Sequence, residues 1–179
     1  MIKVSEVYKN KPNEYKNELQ ELTYNILSDL GVDFERVENE PAITMEDCVA
    51  IDEKLDVSVI KTLFLCNRQK TNFYLFVTPG DKPFVTKNFG KALGVSRVSF
   101  ADEKLLNDIM GVEIGATTVF GIFRDEAKDV RLVFDKDVLN NDYYGCTDGT
   151  TTGYMKIKMD DVINKIIPYT NHELEIIEV

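Results

Sequence analysis

The chain has 179 residues, of which 44% are hydrophobic and 29% are charged, and its formal net charge is −10. That length suits one globular domain with a real core, so residues 1–179 are predicted to form a single domain. No apolar run approaches the ~20 residues of a membrane span, and the start, MIKVSEVYKNK, lacks the apolar core of a signal peptide. These features argue against a membrane protein and predict a cytoplasmic location.

The first part of the chain predicts two helices and three strands. Asn13 can cap a helix that runs to about Leu30, because apolar residues recur on one face at helical spacing. Thr44 and Asp47 resemble a capping box that opens a second, short helix. Strands are predicted over 34–38, 59–66 and 73–78, the last two joined as a hairpin.

The rest of the chain continues to mix the two element types. Helices are predicted over 86–93, 102–110 and 160–167. Strands are predicted over 98–100, 116–123, 130–134, 154–157 and 174–179, with a polar loop over 140–152. Adjacent strands with interspersed helices indicate an α/β (α+β) fold, a mixed and mostly antiparallel sheet with flanking helices.

The net charge argues against a general nucleic-acid binder, and so against DNA as a partner. The charge is uneven, however, because residues 54–97 carry eight Lys and Arg against Asp56 and Asp81. That segment is +6 and the rest of the chain is −16. A local basic face is compatible with docking one polyanion at one place. Composition alone slightly favours the simpler interpretation, that these are solvated turn and helix residues.

Residue types that bind metals or act as nucleophiles are scarce. Cys48, Cys66 and Cys146 are odd in number, far apart and without CxxC spacing, which predicts neither a disulfide framework nor a zinc site. His172 is the only histidine and is predicted at the surface or a strand edge. GxGxxG and GxxxxGK[ST] are both absent, so no nucleotide-binding fingerprint is present. The sequence predicts no metal and no cofactor.

Three segments are candidates for a binding site. Lys61 lies in the apolar strand VIKTLFL and either points to solvent or projects its ammonium into a cleft. Gly115 removes a side chain where the amides of residues 116–118 could point at a ligand carbonyl or phosphate. The residues alone favour the simpler interpretation, in which Gly111 is a helix cap and Gly115 a tight turn. Residues 143–153, with four threonines and three glycines, could line a pocket with hydroxyls or form a flexible connection.

Taken in order, several segments resemble the YbaK/ProX family of aminoacyl-tRNA deacylases, also called the prolyl-tRNA synthetase-associated editing domain. The resemblance covers almost the whole chain and is nearest to the free-standing deacylases of alanyl-tRNA(Pro). The segments that carry it are Glu40–Thr44, the KxLFL strand Lys61–Leu65, the LGxxRLSFA-like Leu93–Ala101, the GVxPGxxxPF-like Gly111–Phe120, and the closing Asn171–Glu173 with its following strand.

The resemblance implies hydrolysis of the ester between a wrong amino acid and the tRNA 3′ end, with prolyl-tRNA synthetase as a possible partner. Water would attack with help from the substrate's own ribose hydroxyl. Lys61 would contact the terminal adenosine or its phosphates, and Lys61 and Gly115 are the predicted catalytic residues. Independently of the resemblance, Phe84 or Phe89 of the basic segment could provide a stacking surface, although such residues more often lie in the core. The predicted substrate-binding residues are Ala116, Thr117, Thr118, Val119, Gly145, Thr147 and Thr151.

The chain departs from the family pattern in three places. Ile114 and Val119 replace two prolines of the glycine-rich motif. The segment 144–152 contains no histidine where the family has HPxxN, and Gly145 or Thr147 takes that position. Two alternatives therefore stay open beside an active deacylase: a relative that binds aminoacyl-tRNA, an amino acid or a synthetase without turnover, and an unrelated acidic α+β domain.

Overall fold

The computed structural model describes all of residues 1–179. Six α-helical segments, several 3-10 and π-helical turns and eight strands form an α+β fold with two sheets, and most strand pairs are antiparallel. The helices are α1 (Glu18–Asp29), α2 (Val49–Leu55), α3 (Thr86–Leu93), α4 (Glu103–Leu105), α5 (Met159–Asp161) and α6 (Ile167–Tyr169). The strands are β1 (Glu35–Glu38), β2 (Lys61–Asn67), β3 (Phe73–Thr78), β4 (Val98–Phe100), β5 (Arg131–Asp135), β6 (Tyr143–Thr150), β7 (Gly153–Lys158) and β8 (Leu174–Ile177).

The helix α1 begins later than the sequence predicts. Its N-cap is Asn17 rather than Asn13, because the Asn17 side chain accepts a hydrogen bond from the Gln20 amide at 2.8 Å. The same side chain donates to the Gly149 carbonyl at 2.9 Å. This cap therefore fixes the start of α1 and also attaches it to the turn between β6 and β7.

The larger sheet has five strands in the order β4-β2-β3-β5-β8. The predicted hairpin is confirmed: β2 and β3 pair antiparallel from Lys61 opposite Thr78 to Cys66 opposite Phe73. The strands β5 and β8 continue the sheet in parallel. The strand β4 pairs only with the far end of β2, over Leu65–Asn67, so the Lys61 end of β2 has no strand beside it on that edge.

The smaller sheet has three strands in the order β1-β7-β6, and it corrects the predicted loop 140–152. Most of that segment is β6, whose polar side chains are buried and bonded to one another. Asp148 accepts hydrogen bonds from Gln20 and Tyr24 of α1 at 2.9 Å each and from the Thr150 hydroxyl at 2.8 Å. Gly153 permits this close approach, since a Cβ there would lie 2.4 Å from an Asp148 carboxylate oxygen.

The predicted strand 116–123 is also wrong. Residues Val119–Phe123 form a 3-10 helix that follows a turn at Gly115. The Thr118 hydroxyl caps this helix by accepting from the Phe120 amide at 3.4 Å. Gly121 lets Met110 pack against the helix, because a Cβ on Gly121 would lie 2.1 Å from the Met110 methyl group. The glycines that looked like interruptions of a strand are therefore turn and packing positions.

One core joins the two sheets. Its 28 buried residues include Tyr24 of α1, Phe64 and Leu132 of the larger sheet, Met155 of the smaller sheet, and Val162 of the C-terminal helices. The helix α4 continues as a π-helical turn over 106–110, and α5 is joined to α6 in the same way over 162–166. No helix of the structure combines the length and the apolar character that crossing a bilayer requires.

Candidate functional site

A cavity of about 410 Å³ opens between the unpaired end of β2 and the two segments that face it. Its walls are the turn before α2, the Lys61 end of β2, the residues after β4, the Gly115 turn, and the adjoining parts of β6 and β7. Most of the lining is apolar, and Lys61 is its only charged residue. A ligand in this cavity would therefore meet one positive charge in apolar surroundings.

Lys61 lines the cavity rather than lying on the opposite face of the sheet. Its ammonium donates a hydrogen bond to the backbone carbonyl of Lys82, in the loop that follows β3. Burial lowers the pKa of Lys61 below the ordinary lysine value, and Asp81 offsets this only in part. The charged Lys61 ammonium is therefore less well solvated than that of an exposed lysine. An anionic or strongly dipolar ligand in the cavity would stabilise this charge.

The loop that holds Lys61 is itself anchored. The Lys82 ammonium donates to Asp135 and Asp137 at 2.8 Å each and to the Val179 carbonyl at 2.7 Å. Asp135 is 1% exposed and also accepts from the Thr78 hydroxyl at 2.8 Å. Because Thr78 is the register partner of Lys61, these contacts form a closed ring around the base of the lysine.

The Gly115 turn lies on the other side of the cavity. Gly115 has φ +91°, and a Cβ there would lie 3.1–3.3 Å from Ile43, so a side chain would strain the backbone and also crowd Ile43. The amides of Gly115 and Thr117 donate to no atom of the protein, and both residues line the cavity. The amide of Ala116, by contrast, donates to the Glu113 carbonyl at 3.1 Å, which corrects its prediction as a ligand donor.

Thr118 and Val119 are buried beneath the turn and do not line the cavity. The Thr118 hydroxyl donates to the Thr147 carbonyl at 2.8 Å, so it attaches the Gly115 turn to β6. Val119 is fully buried in the main core. Both residues support the cavity from behind, and their side chains do not reach a ligand in it.

The three residues predicted in the threonine-rich segment lie in three different places. Thr147 lines the cavity, and its hydroxyl donates to the Thr150 carbonyl. Gly145 lies behind the wall, where its carbonyl accepts from the Ile60 amide at 3.0 Å. Thr151 lines a separate polar depression, and its carbonyl accepts from the amide of residue 42 at 2.9 Å. Of these three, the structure brings only Thr147 together with Lys61 and Gly115.

The cavity holds no ionised nucleophile at neutral pH. Burial raises the pKa of the Cys48 thiol to about 11, and nearby Asp52 adds to that effect. Burial also raises the pKa values of Cys146 and Tyr154 well above their ordinary ranges. His172 lies elsewhere, with its ring nitrogens 2.9 Å from the Thr170 hydroxyl and the Ala127 carbonyl. The groups left for chemistry are the Lys61 amine, the free amides and hydroxyls.

Sequence reasoning missed the exposed apolar residues around the cavity mouth. Phe100, Ile43 and Ile114 are each more than half exposed and line the opening. The sequence signal for Phe100 was the SFA segment, and Phe100 is the last residue of β4, where it pairs with Leu65. Neither predicted stacking residue lines the cavity: Phe89 is 1% exposed, and Phe84 is half-buried with its ring 5.6 Å from that of Phe100.

A family model described as "Aminoacyl-tRNA editing domain" matches residues 39–165. This range contains both walls of the cavity and most of the chain. The chain belongs to the aminoacyl-tRNA editing domain family. The unrelated acidic domain considered from the sequence is thereby ruled out, and the resemblance to the YbaK/ProX family is confirmed.

Individual relatives of this editing domain agree with that assignment. The prolyl-tRNA editing protein ProX of Acetoanaerobium sticklandii is 27% identical over 153 residues, covering 85% of this chain and 92% of the relative. The prolyl-tRNA synthetase associated domain-containing protein 1 of Mus musculus is 30% identical, covering 63% and 68%. A solved structure described as a candidate trans-editing enzyme for prolyl-tRNA synthetase superposes with a TM-score of 0.66 at 14% identity, covering 92% and 99%. That last likeness shows the shared fold.

Proposed function

We propose that this editing domain hydrolyses the ester bond of mischarged aminoacyl-tRNA in trans. The observation that carries the proposal is that Lys61 and the Gly115 turn line the same cavity. Lys61 supplies a positive charge for the terminal adenosine or its phosphates. The free amides of Gly115 and Thr117 supply donors for the ester carbonyl on the opposite wall.

An aminoacyl ester is already activated, so positioning and polarisation of the carbonyl carry most of the catalysis. Water attacks the carbonyl carbon while its oxygen develops negative charge against the Gly115 and Thr117 amides. The bond from the carbonyl carbon to the ribose oxygen then breaks, and that oxygen takes up a proton. The products are the free amino acid and a tRNA with an intact terminal ribose. As the family resemblance implies, the neighbouring ribose hydroxyl assists the water.

Alanyl-tRNA(Pro) is the substrate that the sequence resemblance predicts, with prolyl-tRNA synthetase as a possible partner. The cytoplasmic location predicted from the sequence would suit this role. Two features of the cavity limit further which aminoacyl groups it should accept. No carboxylate lines the cavity, and Lys61 repels a second cation. We therefore expect small and apolar aminoacyl groups to be hydrolysed, and lysyl and arginyl esters to be rejected.

A second candidate function is binding without turnover. It is favoured by Thr147, which stands on the cavity wall where the family motif has a histidine in one placement of the gap. The Thr147 hydroxyl already donates to a backbone carbonyl and accepts from the Gly149 amide at 3.2 Å. It therefore offers no proton acceptor comparable to a histidine ring.

Deacylation of a panel of mischarged tRNAs separates the two candidates. The variants are wild type, Lys61→Ala, and Lys104→Ala as a control, since Lys104 is exposed, paired only with Asp108, and outside the cavity. An active enzyme hydrolyses alanyl-tRNA(Pro) faster than buffer, and Lys61→Ala lowers kcat/KM at least about tenfold, a loss of ~1.4 kcal/mol. A wild-type rate equal to that of buffer, with tight tRNA binding, would identify the non-catalytic binder instead.

A further inference from the structure

The segment from Lys82 to Phe100 differs from the rest of the chain in its charge. It contains four Lys and Arg and no acidic residue, in a chain with 31 Asp and Glu. The segment is +4, which leaves −14 for the remainder. Both of its ends reach the cavity, because the Lys82 carbonyl accepts from Lys61 and Phe100 lines the opening. Both ends of this acid-free segment therefore adjoin the candidate site, and its unpaired charge lies between them, because Lys82 itself is paired with Asp135 and Asp137.

The middle of this segment is α3, which presents two lysines to solvent. Lys87 and Lys91 are exposed and four residues apart, so they lie on one face of the helix. Neither forms an ion pair or a side-chain hydrogen bond in the protein. The opposite face of α3 is buried through Phe89 and Gly90, which fixes the helix on the larger sheet.

The position of Lys87 is unfavourable for the helix itself. It lies in the first turn of α3, which contains no acidic residue. The amide dipoles of a helix make its N-terminus positive, so a lysine there is mildly destabilising and an acid would be stabilising. The helix dipole therefore gives Lys87 no stabilising role in α3.

We propose that the α3 surface, defined by Lys87 and Lys91, binds the phosphate backbone of the tRNA acceptor arm. This inference rests on the proposed function, and it adds the path that the RNA takes outside the cavity. Basic side chains without protein partners contribute affinity to a polyanion by releasing its counterions. On a chain of net charge −10, an acid-free stretch adjoining the cavity is where that attraction meets least repulsion.

Phe100 lies where RNA bound along the α3 surface would enter the cavity. Its side chain is 58% exposed, and its ring lies 5.6 Å from that of Phe84 at an interplanar angle of 69°. Phe84 comes just before α3, so this contact joins the cavity mouth to the α3 surface. Unpaired bases at an RNA end stack readily on aromatic rings, which suits a ring held at this position.

The test is a pair of matched charge reversals. Lys87→Glu/Lys91→Glu alters the α3 surface, and Lys9→Glu/Lys158→Glu makes the same change in net charge beside a depression on the smaller sheet. The probes are an uncharged tRNA(Pro) transcript and the trinucleotide CCA, each titrated over a range of salt concentrations. A minimal aminoacyl-CCA ester reports hydrolysis separately.

The α3 reversal is expected to weaken tRNA binding about tenfold and to reduce the slope of log affinity against log salt by about one to two. CCA binding and hydrolysis of the minimal ester stay at the wild-type level. Equal losses from both reversals, or unchanged tRNA affinity, would overturn the proposal and leave the α3 surface for an acidic protein partner. If the wild type does not hydrolyse the minimal ester but the α3 reversal still weakens tRNA binding, the proposed function is refuted and the proposal for the α3 surface is not.

Discussion

At the scale of single residues, Gly115 combines a backbone requirement with a contact requirement. Its φ of +91° lies where L side chains are rarely found, and Ile43 occupies the space that a Cβ would need. The two requirements can be separated by comparison with Gly31, which has φ +67° and open space around the position where a Cβ would lie. Gly31 is therefore a control for backbone strain alone.

We expect Gly31→Ala to lower the free energy of unfolding by about 1–2 kcal/mol, because it places a side chain at positive φ. Gly115→Ala should lower it by more, because its Cβ also crowds Ile43. Only Gly115→Ala should also reduce the deacylation rate, since Ile43 would force the turn and its free amides to move. Urea denaturation and single-turnover deacylation measure the two effects. Equal activity in the two variants would contradict a role for the turn in holding the substrate.

The lowered pKa of Lys61 predicts a pH dependence of RNA binding. The ammonium attracts the RNA only while it is protonated, and it loses its proton at a lower pH than an ordinary lysine. Affinity for CCA should therefore fall as the pH rises through a value below 10.5. Lys61→Ala should remove this step, and Lys61→Arg should extend binding to higher pH. A step that persists in Lys61→Ala would assign the titration to another group.

At the scale of elements, a buried carboxylate holds α1 against the smaller sheet. Asp148 accepts from Gln20 and Tyr24 of α1, and from Thr150 within its own strand. These bonds join two elements that also pack through the main core. They also hold the bulge in the pairing of β6 with β7, between Thr147 and Thr150, next to the cavity wall.

Asp148→Ala is expected to lower the free energy of unfolding by about 2–4 kcal/mol, because it leaves several buried donors without an acceptor. Asp160→Ala, which removes an exposed carboxylate bonded to Asn164, should change it by less than about 0.5 kcal/mol. Urea denaturation of both variants checks this. Similar values for the two would show that the Asp148 network contributes little net stability.

The elements also show which sequence signals are reliable. Alternation and a polar turn predicted the hairpin of β2 and β3, because both depend on local geometry. Burial of Asp148 and its threonine neighbours in β6 was invisible, since their partners are supplied by α1, far away in sequence. Ala116 was misassigned for a different reason: its amide donates to the Glu113 carbonyl, three residues earlier, within a turn that the predicted strand 116–123 did not include.

At the scale of the whole molecule, one main core is shared by both sheets, and the single domain over residues 1–179 stays a prediction. The buried residues of this core come from α1, from both sheets and from the C-terminal helices. No surface divides this cluster into two separately packed halves. Removing either sheet would expose apolar residues of the other, so the two sheets are expected to unfold together.

We therefore expect one cooperative unfolding transition in urea. Tyrosine fluorescence and far-UV circular dichroism should give the same midpoint, since the chain has eight tyrosines and no tryptophan. Two separated transitions, or midpoints that differ between the probes, would show that the sheets are independent units.

The cavity contains two reduced thiols that can report its occupancy. Cys48 and Cys146 line it, whereas Cys66 is buried away from the cavity, in the larger sheet. Alkylation of the first two by a small maleimide would be slow, because the thiols are protonated and almost covered. Its rate should fall further when an acylated RNA end fills the space, while Cys66 serves as the internal reference. The native cysteines thus allow substrate protection to be followed by mass spectrometry without introducing a label.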